Sequence, residues 1–198
     1  YSIVYKGLKV VFSQENGNPG FLQQQLANDN HIWKICSWHK NQRLMQVGGK
    51  SDGVGWSAYE TCREGGAIIA TAHEHSYART HLLDHMETQH VASTANTLQL
   101  EEGKTFVFHS GLGGASIRDQ ELDGPWWASI YTSAQGANYG ALFCTFNANG
   151  VANQASCYFM DIDGVIPDQF EVISAVTGGV NNTPPVATDD TAKTDEDM

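Results

Sequence analysis

The chain has 198 residues, with 11 basic and 22 acidic side chains that give a net charge of −11 at pH 7 when histidine is neutral. A composition of 41% hydrophobic and 17% charged residues excludes a disordered chain, a coiled coil and a collagen-like repeat. The acidic balance excludes nucleic acid as a bulk partner, because phosphate contacts need clustered Lys and Arg, and no apolar run reaches the ~20 residues that span a bilayer.

The first 72 residues alternate between predicted strands and predicted helices. Apolar runs and turn clusters indicate strands at 1–5, 8–12, 32–38 and 67–71, and helical spacing of apolar residues indicates helices at 21–27 and from 56 to Gly65. This order predicts an α/β fold.

After residue 80 the helical spacing disappears and strands are predicted at 105–109, 139–146 and 155–162. The last two flank Asn147-Ala148-Asn149-Gly150, which predicts a hairpin. Cys144 and Cys157 are equidistant from its centre and are expected to face each other.

Two of the predicted strands end in histidine. His39 follows the strand at 32–38, and His73 and His75 follow the strand at 67–71. Functional groups gather at the carboxyl ends of strands in open α/β sheets, and imidazole binds Zn, Fe and similar metals. If the two strands are neighbours, the three rings form a metal site, with Glu74 pointing away from it or supporting it from behind.

The motifs Trp33–His39, Glu64–Ile69 and Ala72-His73-Glu74-His75-Ser76-Tyr77-Ala78-Arg79-Thr80 resemble those of the calcineurin-like metallophosphoesterases, the purple-acid-phosphatase-like branch above all. Phe108–Gly114 is similar to the glycine-rich return of that family to its sheet. The resemblance implies the α/β, two-sheet β-sandwich flanked by helices, of which residues 1–176 form only the C-terminal half. The missing N-terminal half is then a partner of this segment.

The resemblance also implies a two-metal site (Zn, Fe or Mn) that activates water to hydrolyse a small phosphate ester. His39 and His73 would bind one metal and His75 the other, with Tyr77 and Arg79 supporting them from outside the ligand shell. Ala72 stands where the family has Gly, and the upstream Asp and Asn-His motifs are absent. We therefore expect weak metal binding and negligible esterase activity from this chain.

The segment 177–198 is predicted to be a linker and the start of another domain. Its Asn181–Asp190 run and Thr194–Asp197 resemble the opening of cadherin-like, immunoglobulin-like repeats of bacterial surface proteins, which implies a secreted or cell-surface protein. That location would permit a Cys144–Cys157 disulfide, whereas Cys36 and Cys62 are expected to be free core thiols.

Two other functions remain open at this stage. A non-catalytic extracellular binding or adhesion module would retain the esterase-like shell without its chemistry. A mononuclear zinc enzyme would need only the three histidines His39, His73 and His75.

Overall fold

Two mixed β-sheets and a small two-stranded sheet form the framework of residues 1–177, the part of the chain that the structure, a computed structural model, describes. The strands are β1 (Ser2–Tyr5), β2 (Leu8–Phe12), β3 (Trp33–Ser37), β4 (Ile68–Thr71), β5 (Tyr77–Thr80), β6 (Leu82–His85), β7 (His90–Ser93), β8 (Thr97–Leu100), β9 (Val107–Ser110), β10 (Trp127–Tyr131), β11 (Gly140–Phe146), β12 (Gln154–Asp161) and β13 (Asp168–Ser174). The helices are α1 (Pro19–Leu26) and α2 (Trp56–Glu64).

The structure is mostly β, so the predicted α/β class is only partly right. Within the described range, the two α-helices have 8 and 9 residues, and the segments after residue 72 are strands, 3₁₀ turns and loops. The predicted alternation up to β4 is present, but it covers less than half of the chain. The two-layer arrangement of sheets agrees with the predicted sandwich.

The larger sheet has the strand order β1-β2-β3-β4-β9-β5-β10. Strands β2, β3, β4 and β9 run parallel to one another, and β1, β5 and β10 pair antiparallel to their neighbours. Because β3 and β4 are adjacent and parallel, their carboxyl ends lie at the same edge of the sheet. This adjacency is the condition on which the predicted histidine site depends.

The larger sheet is covered on both faces. Both α-helices pack on one face through Leu22, Tyr59 and Cys62, against sheet residues such as Val11 and Ile69. The opposite face packs on the second sheet. Its buried contacts join Trp33, Ile68 and Phe106 to Cys157, Phe170 and Val172. Burial on both faces explains why β3 and β4 appear in the sequence as almost unbroken apolar runs.

The second sheet has the order β11-β12-β13-β8, and β11 and β12 form the predicted hairpin. Cys144 and Cys157 are directly opposite each other in its register, with Cα atoms 4.2 Å apart, and they form a disulfide. The expectation for this pair is confirmed.

A second disulfide joins Cys36 and Cys62, so the expectation that these residues are free thiols is wrong. Cys36 is on β3 and Cys62 is on α2, and both are completely buried. Their Cα atoms are 6.3 Å apart because α2 packs directly on this face of the sheet. Which side chains face each other across a helix–sheet contact depends on tertiary packing, which the spacing of cysteines does not reveal.

We expect removal of the core disulfide, by Cys36→Ala with Cys62→Ala, to lower the free energy of unfolding by about 3 kcal/mol. The bond closes a longer loop than Cys144–Cys157, with a sequence separation of 26 against 13, so its removal is expected to cost more. Urea unfolding of the two double variants measures both losses. Alkylation of the denatured wild-type chain without reductant should leave all four cysteines unmodified, and a modified Cys36 would contradict this prediction.

Strand β1 lies at one edge of the larger sheet and is poorly covered. Ile3, Val4 and Tyr5 are 46%, 55% and 65% exposed, and β2 is the one strand that pairs with β1 in the described part of the chain.

The predicted linker and repeat segment, 177–198, falls outside the described residues apart from Thr177. Within residues 1–177, no helix is long and apolar enough to cross a membrane.

Candidate functional site

His39 and His73 meet at the edge of the sheet where β3 and β4 end. The Nε2 atom of His39 is 3.1 Å from the Nδ1 atom of His73, and the two ring planes are inclined by 71°. The register of the two strands explains this contact. Ser37 on β3 lies beside Ala70 on β4, and His39 and His73 follow these residues closely along the chain. The structure therefore brings two of the three predicted site residues into direct contact.

The backbone at His73 has an unusual conformation. Its φ is +63°, in the left-handed region that residues other than Gly rarely occupy. The amide of Glu74 donates to the carbonyl of Ala72 over 2.7 Å, so His73 is at the apex of a three-residue turn. Ala72 itself does not have a positive φ, which explains why Ala is tolerated there. Strain of this kind, about 1–3 kcal/mol, is often found at functional sites.

His75 lies on the other side of the same pocket. Its Nδ1 atom is 2.9 Å from the carbonyl oxygen of Ser116, and a carbonyl only accepts, so Nδ1 carries the proton in the neutral ring. Nε2 is then the nitrogen with a free lone pair. Metal-binding histidines commonly have this arrangement, because a hydrogen bond from one ring nitrogen leaves the other nitrogen free to bind the metal. A cavity of about 270 Å³ connects the three histidines to the loop after β9, and its remaining lining is Ala72, Ser110, Gly111, Gly113, Gly114 and Ala115.

Positive charges act on His73 although the chain as a whole is acidic. Partial burial is the main factor that lowers the pKa of His73, and the charges of Lys50, His39, Lys40 and Arg118 lower it further. A lowered pKa keeps the ring neutral at pH 7, and neutral imidazole is the form that binds metal.

Glu74 points away from the histidine rings and is completely buried. Within the described residues neither carboxylate oxygen has a hydrogen-bond partner, and Arg118 Nη1 is 3.8 Å from Oε2. Burial raises the pKa of the Glu74 carboxyl, an effect that the nearby guanidinium opposes. Gly48 covers the carboxylate so closely that a Cβ at position 48 would overlap it, which explains the need for glycine there.

Tyr77 and Arg79 do not contact the histidines. Their side chains lie between the two sheets and bind the carboxylate of Asp168. Arg79 donates from Nε and Nη2 over 2.7 and 2.9 Å, and Tyr77 donates over 2.6 Å. None of the hydrogen bonds of these two side chains reaches His39, His73 or His75, so any support of the metal site by them would pass through the backbone of β5.

The histidines supply some of the ligands for a metal ion but do not form a complete metal site by themselves. Two nitrogens that bind one ion at about 2.0–2.1 Å lie about 3.0–3.4 Å apart, which includes the separation of the His39 and His73 nitrogens. However, residues 1–177 contain no group of three or more His, Cys, Asp or Glu side chains arranged to hold a metal. A carboxylate that would bridge two ions is therefore missing from the described part of the chain.

The arrangement of the sheets and helices is similar to that of two solved structures. The structure is similar to that of purple acid phosphatase PPD1 from seeds of yellow lupin (Lupinus luteus), with a TM-score of 0.70 and 16% identity over 95% of this chain. It also resembles the structure of PhoD, with a TM-score of 0.51 and 10% identity over 87% of this chain. The chain spans 35% and 40% of the lengths of these two proteins.

The similarity is structural and does not extend to recognisable sequence. No protein-family model matches the chain, and no curated protein sequence matches it. At 16% and 10% identity the comparisons define the fold, while the chemistry has to be argued from the side chains of this chain.

The sequence patterns missed Arg118 and Asp168. Arg118 is in a loop with neither strand nor helix spacing, and its amide bonds to the carbonyl of His75 over 3.0 Å. Asp168 is 89 residues from Arg79, the cation with which it pairs. A charged residue beside a glycine-rich loop is the one feature that could have drawn attention to Arg118.

Proposed function

We propose that this chain supplies histidine ligands to a metal-dependent site that hydrolyses phosphate esters. The observation that carries the proposal is the contact of 3.1 Å between His39 and His73 at the carboxyl ends of two parallel strands. The phosphoesterase-type fold supports it. His39 and His73 would bind one ion, and His75 would be available to a second through Nε2.

The complete site needs ligands from outside residues 1–177. Two cations held only by neutral imidazoles repel each other strongly in a partly buried pocket, and a bridging carboxylate would reduce that repulsion. The two similar proteins are more than twice as long as this chain, which leaves room for such ligands in a longer protein. We propose Zn, Fe or Mn as the metals, since imidazole accepts each of them, and a small phosphate ester as the substrate.

Metal binding by the 198-residue chain tests the histidine assignment. We expect Zn²⁺ or Co²⁺ to bind weakly, and His39→Ala to reduce the affinity about tenfold or more because one of two paired ligands is lost. His73→Asn is the matching change after β4, because Asn tolerates the left-handed backbone at this position better than Ala does. His85→Ala, at an exposed histidine outside the pocket, serves as the control and should bind as the wild type does.

The outcomes separate this proposal from its alternatives. Equal affinity in the wild type, H39A and H73N would contradict the assignment. One tightly bound Zn²⁺ that needs all three histidines would favour a mononuclear zinc enzyme. Turnover of p-nitrophenyl phosphate by the 198-residue chain with Zn²⁺, Fe³⁺ or Mn²⁺ should be negligible, and robust turnover would show that the chain needs no further ligands.

A second candidate function is a non-catalytic extracellular module with an esterase-like shell. The lack of any complete metal-holding group in residues 1–177 favours it. The absence of measurable binding of Zn²⁺, Co²⁺ and Mn²⁺ to the wild type would support this module over the enzyme.

We also propose that the protein is secreted or displayed at the cell surface. The observation is that its four cysteines form two disulfides, one of them deep in the core. Disulfides form and persist in oxidising compartments and are rare in the cytosol.

A further inference from the structure

Glu74 separates His73 from His75 in the chain, but its side chain is not part of the histidine cavity. The cavity lining does not include Glu74, and the carboxylate is completely buried. Within residues 1–177 neither of its oxygens has a hydrogen-bond partner. A buried carboxylate without hydrogen bonds is costly unless a cation lies close to it. The fold therefore has to hold a positive charge in place beside Glu74.

Arg118 supplies this positive charge. Its Nη1 atom is 3.8 Å from Oε2 of Glu74, and in the described part of the chain it is the one cationic side chain within ion-pair distance of this carboxylate. The Coulomb attraction at this separation is stronger beside a buried carboxylate than it would be in water. Gly48 packs so closely on the carboxylate that a Cβ would overlap it, which leaves Glu74 little freedom to move away from Arg118.

The backbone of segment 116–118 is bonded to His75 at two points. The amide of Arg118 donates to the carbonyl of His75 over 3.0 Å, and Nδ1 of His75 donates to the carbonyl of Ser116 over 2.9 Å. Ser116 is exposed, and among residues 1–177 the bond to His75 is the one hydrogen bond that it makes. The position of the Ser116 carbonyl therefore depends on its neighbours in the segment, among which Arg118 is held by charge.

We propose that Glu74 is a positioning residue for His75. Its charge holds Arg118 in place, and this keeps the Ser116 carbonyl on Nδ1 of the imidazole ring. The bond selects one tautomer of the neutral ring, because Nδ1 then carries the proton and Nε2 keeps its lone pair for a ligand. The inference rests on the proposed function for what Nε2 binds, but the positioning itself requires neither metal nor turnover.

The test is the tautomer of His75, measured from the ¹⁵N NMR signals of its ring in the metal-free 198-residue chain at about pH 8, where histidine rings are neutral. We expect the Nδ1–H tautomer to predominate in the wild type. In Glu74→Gln, which keeps the shape of the side chain and removes its charge, the ratio of the Nδ1–H to the Nε2–H tautomer should fall about threefold, as expected for one weakened hydrogen bond. Arg118→Gln should lower the ratio equally.

The double variant Glu74→Gln with Arg118→Gln shows whether the two residues act as a pair. If they do, the double variant should lower the ratio no further than either single variant. Glu87→Gln and Arg43→Gln are the matched controls, since they remove the same charges from exposed side chains elsewhere, and they should leave the ratio unchanged.

Three results would overturn the inference: a wild type without a preference for the Nδ1–H tautomer, an unchanged ratio in Glu74→Gln, or losses that add up in the double variant. Near-ultraviolet circular dichroism checks the fold of each variant. If Glu74→Gln does not fold, Arg118→Gln decides in its place, because its side chain is 37% exposed and its replacement leaves the core intact.

Failure of this inference can be distinguished from failure of the proposed function. A tautomer of His75 that depends on Glu74, in a chain that binds no metal, would contradict the proposed hydrolase alone. Metal binding through His39 and His73, with an unchanged tautomer ratio in Glu74→Gln, would contradict the positioning role alone.

Discussion

Replacement of Asp168 with alanine is expected to lower the free energy of unfolding by about 3 to 5 kcal/mol. Asp168 accepts two hydrogen bonds from Arg79 and one from Tyr77, and Arg79 and Asp168 are almost completely buried between the sheets. The variant leaves the Arg79 charge buried without its partner, because the remaining contacts are Phe170, whose ring lies 4.1 Å away, and weaker polar groups. Chemical denaturation measures the loss.

A matched control is Glu87→Ala, which removes an exposed carboxylate and should change the free energy of unfolding by less than about 0.5 kcal/mol. The double variant Arg79→Met with Asp168→Leu removes both charges and should be more stable than Asp168→Ala alone, since a buried pair is often replaceable by apolar side chains. A loss below about 1 kcal/mol in Asp168→Ala would mean that the Arg79 charge reaches water or another partner.

Acid is expected to destabilise the fold through His109, by up to about 4 to 5 kcal/mol between pH 6.5 and pH 3. His109 is completely buried on β9, with Nε2 2.9 Å from the hydroxyl of Ser76, and burial lowers its pKa to about 3. In the unfolded chain the pKa of His109 is about 6.5. Below this pH the unfolded state therefore binds a proton at His109, whereas the folded state keeps the ring neutral. The contribution of His109 to the free energy of unfolding is therefore fully present above pH 6.5 and is lost progressively as the pH falls toward 3.

The measurement is the free energy of unfolding as a function of pH for the wild type and for His109→Gln. The variant lacks the titrating ring, so its curve should be flatter between pH 6.5 and 3, whatever its stability at neutral pH. His85→Gln, at an exposed histidine, should follow the slope of the wild type. Parallel curves for the wild type and His109→Gln would show that His109 titrates normally in the folded state.

The core of the larger sheet was predictable because its strands are buried on both faces. Long apolar runs predict β3 and β4 directly, and the turn at 147–150 predicts the β11–β12 hairpin with its opposed cysteines. Strands such as β5 and β6 have four residues and carry charged side chains, so no pattern distinguishes them from loops. The Cys36–Cys62 bond was missed because it depends on how α2 is oriented against the sheet.

The candidate site was predictable only where it follows from strand ends. His39, His73 and His75 come directly after apolar runs, and the parallel pairing of β3 and β4 brings the first two together. The burial of Glu74 beneath Gly48 and the approach of Arg118 depend on loops that return from distant parts of the chain. Tyr77 and Arg79 were assigned to the site from the resemblance, whereas the alternation of side chains along β5 directs both toward Asp168.

The open edge at β1 has a consequence for how this chain behaves at high concentration. Ile3, Val4 and Tyr5 combine exposed apolar side chains with backbone N–H and C=O groups that no further strand covers within the described residues. Such an edge is a template for pairing with a second extended segment, and natural proteins usually protect it with charges, proline or a bulge. The described chain has none of these between Ser2 and Tyr5, so β1 is open to pairing with a further extended segment.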